Sequence, residues 1–190
     1  MAVLGLIGAP IASASGGSPV APPSNSTTGG AGVGAPPVVP STPLQPTVPG
    51  FVAKIVRGVA YAPSYAPLPV QEAIWAGNKI RSKPYIFGGG HRAFISRGYD
   101  CSGSVSYVLH AAGLLPTPMD SSDFMGWGQK GLGHWITVYT NPGHAFVEIA
   151  GIRFDTSAEQ DPHPSKGTGP RWRPLMTTSS GFMKRHPVGY

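Results

Sequence analysis

The first 53 residues contain no charged side chain, and this feature divides the chain into two parts. No Lys, Arg, Asp or Glu occurs before Lys54, so all 14 basic and all 8 acidic residues of the 190-residue chain lie from there onward. Residues 15–50 are mainly Pro, Gly, Ser, Thr, Ala and Val, a composition that cannot bury enough apolar surface to offset the entropy of ordering. We therefore expect a disordered, proline-stiffened linker over residues 15–50 and one folded domain over residues 51–190.

The chain begins with a short apolar stretch that ends in Ala12-Ser13-Ala14. Small residues in this spacing follow the apolar region of secretory signal peptides, so residues 1–14 predict a signal peptide, truncated because it lacks a basic start. The alternative is an Ala/Gly-rich disordered terminus. No apolar stretch approaches the roughly 18 to 20 residues that span a bilayer, so we expect no membrane span.

The folded part is basic, because the whole formal charge of +6 lies within it. Such a surface favours anionic partners, and an anionic cell-wall polymer or anionic lipid would fit as well as nucleic acid. We find no nucleic-acid-binding motif and no cluster of Lys and Arg with interleaved aromatic residues. The sequence therefore argues against nucleic acid as a partner.

Helical patterns precede β-prone runs, which predicts an α+β domain. Apolar residues recur at helical spacing from Pro69 to Ile80, and a second helix is expected to begin after Asp100 and to end at Gly113. Residues 117–133 are predicted to form a loop with a short helix around Ser122 to Met125. Three short runs then predict an antiparallel meander: 135–139, 144–149 and 152–156.

The sole cysteine, Cys101, falls in the first turn of the second predicted helix. One cysteine cannot form an intramolecular disulfide, and an exported thiol without a partner needs another purpose. The unpaired N–H groups and positive dipole end of a helix N-terminus stabilise a thiolate. These observations favour a nucleophile over the alternative, a small buried apolar side chain.

A cysteine nucleophile needs a base, and we expect His144 to supply it. His144 follows the turn Asn141-Pro142-Gly143 and opens a strand, which holds its ring on a rigid element. His134 is the competing base. The other histidines are less suitable, because they lie more than two helical turns from the thiol or in loops: His91, His110, His163 and His186.

A third group should orient the base, and strand register points to Asp155. A two-residue turn at Ala150-Gly151 places Asp155 and His144 on one sheet face as diagonal neighbours. A three-residue turn would place Asp155 on the opposite face, and Glu148 would then be the candidate. A solvated strand carboxylate is the alternative for either residue.

Three motifs together resemble those of the NlpC-type peptidases, which are papain-like cysteine enzymes of bacterial cell walls. They are Lys83-Pro84-Tyr85-Ile86-Phe87-Gly88-Gly89, Asp100-Cys101-Ser102-Gly103-Ser104-Val105 and Gly143-His144-Ala145-Phe146-Val147. The resemblance covers residues 69–157. It implies a papain-like α+β fold, in which the helix carrying Cys101 packs on an antiparallel sheet.

The resemblance also implies an activity and a set of site residues. The activity is hydrolysis of the peptidoglycan stem peptide between γ-D-glutamate and a diamino acid, through an acyl-enzyme and without a cofactor, by a secreted protein in the bacterial cell wall. The catalytic residues would be Cys101, His144 and Asp155, the last standing where such enzymes often have His. Tyr85 would lie near the nucleophile, while Asp100 and Ser102 would recognise the free amino end of the stem peptide.

Three alternatives remain open at the level of sequence. The same scaffold suits an amidase or a transpeptidase, since any acyl transfer can proceed through an acyl-thioenzyme. A non-catalytic wall-binding module is a second alternative, disfavoured by the joint presence of Cys101, His144 and Asp155. A metal site formed by Cys101, His134, His144 and Asp155 is a third, but the histidines lack a compact ligand spacing, and we expect no metal.

Overall fold

The computed structural model describes residues 44–164 and 167–190. The predicted signal peptide and the linker up to residue 43 lie outside the described residues. Thr47–Val48, which lies before the boundary expected at residue 51, forms a strand. That strand pairs in parallel with residues 62 and 63, and the indole of Trp75 donates a hydrogen bond to the carbonyl of Pro46 at 3.0 Å. Backbone pairing thus extends the domain by several residues into the segment assigned to the linker.

The described ranges contain three helices and nine strands. The helices are α1 (Leu68–Ile80), α2 (Cys101–Ala111) and α3 (Ser121–Phe124). The strands are β1 (Thr47–Val48), β2 (Lys54–Val56), β3 (Val59–Pro63), β4 (Gln129–Lys130), β5 (Ile136–Asn141), β6 (His144–Ile149), β7 (Ile152–Asp155), β8 (Arg171–Arg173) and β9 (Met183–His186). The α+β class is confirmed, and each predicted helix and each strand of the predicted meander is found within two residues of its expected bounds.

A six-stranded antiparallel sheet in the order β4-β9-β5-β6-β7-β8 forms the centre of the domain. Helices α1 and α2 pack against each other, and α2 packs on β6, so the cysteine-bearing helix lies on the antiparallel sheet as expected. A smaller sheet, β1-β3-β2, packs against α1. The core between helices and sheet is apolar; its fully buried members include Val70, Ile74, Val105, Leu109, Val138, Val147 and Phe154.

Strands β8 and β9 come from the part of the chain beyond the motifs. Strand β8 pairs with β7, and its Trp172 covers Gly77 of α1 so closely that a Cβ at Gly77 would overlap the indole. The indole N–H of Trp172 donates to Asn78 at 3.0 Å. Strand β9 pairs with β5 on the other side of the meander. The last 20 residues therefore complete the sheet on both sides of the predicted hairpins.

Candidate active site

Cys101 is the first residue of α2, and its carboxylate neighbour caps the helix. Asp100 has extended backbone geometry, and its Oδ1 accepts a hydrogen bond from the N–H of Gly103 at 2.8 Å. The carbonyl of Cys101 accepts a hydrogen bond from the hydroxyl of Ser104 at 2.7 Å. The thiol is partly exposed, at the helix end where N–H groups have no preceding helical carbonyl. The predicted first-turn position of Cys101 is confirmed.

His144 is the first residue of β6, and the preceding turn fixes its backbone. The side-chain oxygen of Asn141 accepts hydrogen bonds from the N–H groups of Gly143 and His144, both at 2.9 Å. Nε2 of the His144 ring lies 2.9 Å from Oδ1 of Asp155. The Cys101 thiol and the His144 ring are near enough that each shifts the pKa of the other. The imidazole therefore has both the thiol and the carboxylate as neighbours.

Asp155 reaches His144 because the β6–β7 turn has two residues. Ile149 pairs with Ile152, and Ala150 and Gly151 have φ of 48° and 86°, the positive values that tight hairpin turns require. The pairing Val147 with Phe154 continues to bring Asp155 opposite residue 146. Asp155 is 1% exposed and also accepts the N–H of Ser157 at 2.8 Å. The predicted register and the predicted His144–Asp155 neighbourhood are confirmed.

Cys101 and His144 shift each other's pKa. Burial opposes ionisation of Cys101, but interactions with His144 and with the N–H of Ala145 outweigh it, so the pKa of the thiol is lowered. Burial likewise opposes the charge on His144, but its interactions with Asp155 and Cys101 outweigh burial and raise the pKa of His144 to about 10. Both shifts favour the charged forms, a thiolate on Cys101 and an imidazolium on His144.

A group of polar side chains lies near Cys101: Asp100, Ser102 and Tyr85. His91, which the sequence did not single out, belongs to the same group. Nε2 of His91 is 2.9 Å from Oδ1 of Asp100 and 3.2 Å from the hydroxyl of Ser102. Asp100 and Ser102 are 5% and 3% exposed, whereas the His91 side chain is 28% exposed. Burial and the charges of Cys101 and Asp100 raise the pKa of Tyr85, which places its phenol near both. His91 is thus the solvent-facing member of the Asp100–Ser102 cluster.

The loop before Asp100 fits closely against the start of α2. A Cβ at Gly103 would overlap the carbonyl oxygen of Gly89, so only glycine permits this approach. Oδ2 of Asp100 accepts the N–H of Gly88 at 2.9 Å, and the N–H of Asp100 donates to the carbonyl of Gly89 at 3.2 Å. Asp100 therefore fixes the glycine loop as well as capping the helix.

A buried charge network lies behind Asp155. Nη1 of Arg153 is 3.4 Å from Oδ2 of Asp155, and Nη2 of Arg153 pairs with Asp161. The other oxygen of Asp161 pairs with Arg173, whose Nε donates to the backbone carbonyl of Asp155 at 3.1 Å. Arg153 is 0% and Arg173 2% exposed. Asp155 is thereby held through both its side chain and its backbone.

An aromatic wall borders His144 on the sheet face. The ring of Phe182 lies 6.2 Å from the His144 ring and 5.1 Å from that of Phe146. Tyr139 stacks on Phe146 at 4.7 Å with 3° between the planes. Phe182 comes from the segment for which the sequence suggested no role. No local sequence pattern predicts that Phe182 lies near His144, because its position depends on pairing of β9 with β5.

The remaining candidates from the sequence occupy other positions. His134 packs edge-on against Trp135 at 5.0 Å. It precedes β5, whose first residue pairs with Ile149, whereas His144 pairs with the last residue of that strand. His110 stacks on Phe94 and contacts the carbonyl of Leu115. Glu148 interacts with the phenol of Tyr139, and burial raises the pKa of this carboxyl despite that bond. None of these three groups is brought into the Cys101–His144–Asp155 arrangement.

Two further features bear on the class of site. Among residues 44–164 and 167–190, His, Cys, Asp and Glu side chains form no group of three or more that could hold a metal ion. Within the same ranges, the helices are too short or too polar to cross a bilayer.

Comparisons with known proteins give partial structural likenesses. A comparison with protein-family models finds no match, and neither does one with curated protein sequences. The structure is similar to the peptidoglycan hydrolase RipB of Mycobacterium tuberculosis, with a TM-score of 0.48 and 17% identity over 67% of this chain and 71% of that one. It is also similar to an NlpC/P60 family protein of Bacillus cereus, with a TM-score of 0.45 and 20% identity over 62% of this chain and 39% of that one.

Proposed function

We propose that this chain is a secreted cysteine peptidase that hydrolyses peptidoglycan stem peptides, at the bond between γ-D-glutamate and a diamino acid. The observation that carries the proposal is the placement of His144 between the thiol of Cys101 and the buried carboxylate of Asp155. A helix N-terminus supplies the nucleophile, and a rigid strand supplies its base. The substrate class comes from the resemblance of the motifs around Tyr85, Cys101 and His144 to NlpC-type enzymes.

In the first half of the reaction, the Cys101 thiolate attacks the carbonyl carbon of the scissile amide. The carbonyl π electrons move to oxygen, and N–H groups at the start of α2 offer hydrogen bonds to the oxyanion. The tetrahedral intermediate then collapses, the C–N bond breaks, and the His144 imidazolium gives its proton to the departing amine. The products are a thioester on Cys101 and a neutral His144.

In the second half, the neutral imidazole of His144 accepts a proton from water, which attacks the thioester carbonyl. Collapse of that intermediate breaks the C–S bond and returns the thiolate of Cys101, the protonated His144 and a free carboxylic acid. The role of Asp155 is to hold the ring by the Nε2 hydrogen bond and to stabilise the imidazolium.

We propose that the Asp100–Ser102 cluster recognises the free amino end of the stem peptide, with Tyr85 beside the reacting carbonyl. A carboxylate next to hydroxyl and imidazole groups suits an ammonium ligand, because each can accept a hydrogen bond from it. Since Asp100 and Ser102 are buried behind His91, the imidazole of His91 is the member of this cluster that substrate meets first.

The test is digestion of purified peptidoglycan by the full chain, with mass analysis of the released fragments. Cleavage after γ-D-glutamate, abolished in Cys101→Ala, supports the proposal. Release of intact stem peptides would instead show an amidase, and new cross-links would show a transpeptidase. Binding of the wall without any Cys101-dependent product would show a non-catalytic module. Loss of folding in Cys101→Ala would return this thiol to a structural role.

A further inference from the structure

A groove rich in aromatic side chains lies at the end of the sheet opposite His144. Two adjoining cavities of about 330 and 220 Å³ share the walls formed by His134, Trp135 and the turn 150–151. We name this feature the aromatic groove; its side chains are Phe51, Val52, Leu132, His134, Trp135 and Glu148. Phe51, Val52 and Leu132 are each 60% exposed or more when the described residues alone are considered, so they form a patch of accessible apolar surface.

The aromatic rings of the groove form a shared platform. The ring of Phe51 lies 6.3 Å from that of Trp135 with 27° between their planes. Tyr65, which is 65% exposed, meets Phe51 edge-on at 5.2 Å and extends the platform. Phe51 and Tyr65 are 62% and 65% exposed, so much of this aromatic surface is open to a ligand.

The backbone beneath the platform is held in place. The N–H of Ala53 donates to the carbonyl of Ala150 at 2.8 Å, and a Cβ at Gly151 would meet Val52 at 3.0 Å. On the other side, the N–H of Gly133 donates to the hydroxyl of Thr137 at 3.0 Å. The groove is therefore preformed, so a ligand loses little to ordering it.

Polar groups stand at the floor and edge of the same groove. Glu148 lies in the smaller cavity with its carboxyl on the Tyr139 phenol, and the His134 imidazole is exposed beside Trp135. Stacking faces next to a carboxylate and an imidazole provide both contacts that a pyranose ring needs. The weakly positive C–H groups on the face of such a sugar pack on π systems, while its hydroxyl and amide groups exchange hydrogen bonds at the edge.

We propose that the aromatic groove binds the N-acetylated amino-sugar strand of the cell wall, as an anchor beside the catalytic site. This identification of the polymer rests on the proposed function. The turn 150–151 at one end of the groove lies six strand residues, about 20 Å, from His144. The other end is lined by Tyr139, which stacks on Phe146 next to His144, so the groove extends along the sheet toward the catalytic site.

An acyl chain fits the groove less well, because it offers no hydrogen bond to the Glu148 carboxyl or to the His134 imidazole. An uncharged sugar can exchange hydrogen bonds with both groups.

The experiment measures binding rather than catalysis, using the full chain with Cys101→Ala. The probes are N-acetylglucosamine tetramers by calorimetry, and glycan strands freed of peptides and of anionic polymer by sedimentation. Phe51→Ala and Glu148→Gln should each weaken binding at least about tenfold. Trp135→Ala should do the same, and Phe51→Ala decides the matter if the tryptophan variant unfolds.

The matched control is Phe87→Ala, which removes an 89% exposed ring outside the groove and should leave the affinity for both probes unchanged. Absence of saturable binding to either probe, or equal weakening by Phe87→Ala and Phe51→Ala, would overturn the anchor. So would binding to whole walls that disappears once anionic polymer is extracted. Because hydrolysis of soluble stem peptides is measured separately, loss of the proposed peptidase activity with binding intact would refute only that activity.

Discussion

The guanidinium of Arg153 lies 3.4 Å from the carboxylate of Asp155, and both side chains are 1% exposed or less. The same carboxylate accepts a hydrogen bond from His144 on its other oxygen. Asp155 therefore lies between two cationic groups, one structural and one proposed to be catalytic. Since Nε and Nη1 of Arg153 have no hydrogen-bond partner among the described residues, its charge depends on Asp155 and Asp161 for compensation.

Replacing Arg153 should destabilise the domain strongly. Arg153→Met leaves Asp155 and Asp161 buried with one fewer cation between them, and removing one partner of a buried ion pair costs about 3 to 5 kcal/mol. The free energy of unfolding from urea denaturation measures the effect. The matched control is Arg97→Met at an exposed position, which should change it by less than about 0.5 kcal/mol. Equal effects of the two substitutions would mean that the network adds no stability.

The pH profile of kcat/KM should have an acid limb set by the Cys101 thiol and an alkaline limb set by His144. The lowered pKa of Cys101 moves the acid limb of kcat/KM below the ordinary thiol value of about 8.5. Loss of the His144 proton sets the alkaline limb, near its pKa of about 10. Because the carboxylate of Asp155 raises that pKa, Asp155→Asn should shift the alkaline limb to lower pH. A limb that does not move in Asp155→Asn would show that Asp155 does not stabilise the imidazolium.

The two candidate bases can be separated by substitution. His144→Ala should remove essentially all turnover, because it leaves no proton acceptor or donor beside Cys101. His134→Ala should retain the rate on soluble stem peptides, since the structure places that ring against Trp135 at the far end of β5. Rates with a soluble peptide, rather than with intact wall, make this comparison independent of any anchoring. An inactive His134→Ala would mean that the base is wrongly assigned.

Local signals predicted the catalytic arrangement more fully than its surroundings. Asp100 caps α2 by accepting the N–H of Gly103, which lies three residues later. The turn Ala150-Gly151 sets the register that brings Asp155 to His144. Both features depend on residues that are close in sequence. The roles of His91 and Phe182 depend instead on contacts that no short window contains. His91 reaches Asp100 through a folded glycine loop, and Phe182 reaches His144 only after β9 pairs with β5. The local sequence around Arg153 is that of a solvated strand residue. In the structure, pairing of β8 with β7 and the contact with Asp161 bury it.

The early start of the domain predicts an effect of truncation. A chain beginning at Phe51 lacks β1 and the carbonyl groups that accept four hydrogen bonds. The bonds run from Ala62 and Trp75 to Pro46, from Ser64 to Val48 and from Tyr65 to Gly50. At about 1 kcal/mol for each bond, its stability should fall by about 4 kcal/mol relative to a chain beginning at Leu44. Both should hydrolyse soluble stem peptides at the same rate well below their melting temperatures, because the proposed catalytic groups lie after residue 84. Equal melting temperatures would show that β1 does not stabilise the domain.

The two substitutions of Asp155 should differ in severity. Asp155→Asn retains an oxygen that can accept the N–H of His144 or Ser157, so the ring keeps its orientation while the charge is lost. Asp155→Ala leaves both N–H groups without their acceptor and the His144 ring free to turn from the thiol. We expect kcat/KM to fall about tenfold for the amide and at least about a hundredfold for alanine. Melting temperatures of both variants separate loss of folding from loss of orientation, and parental kcat/KM in a folded Asp155→Ala protein would exclude Asp155 as the orienting group.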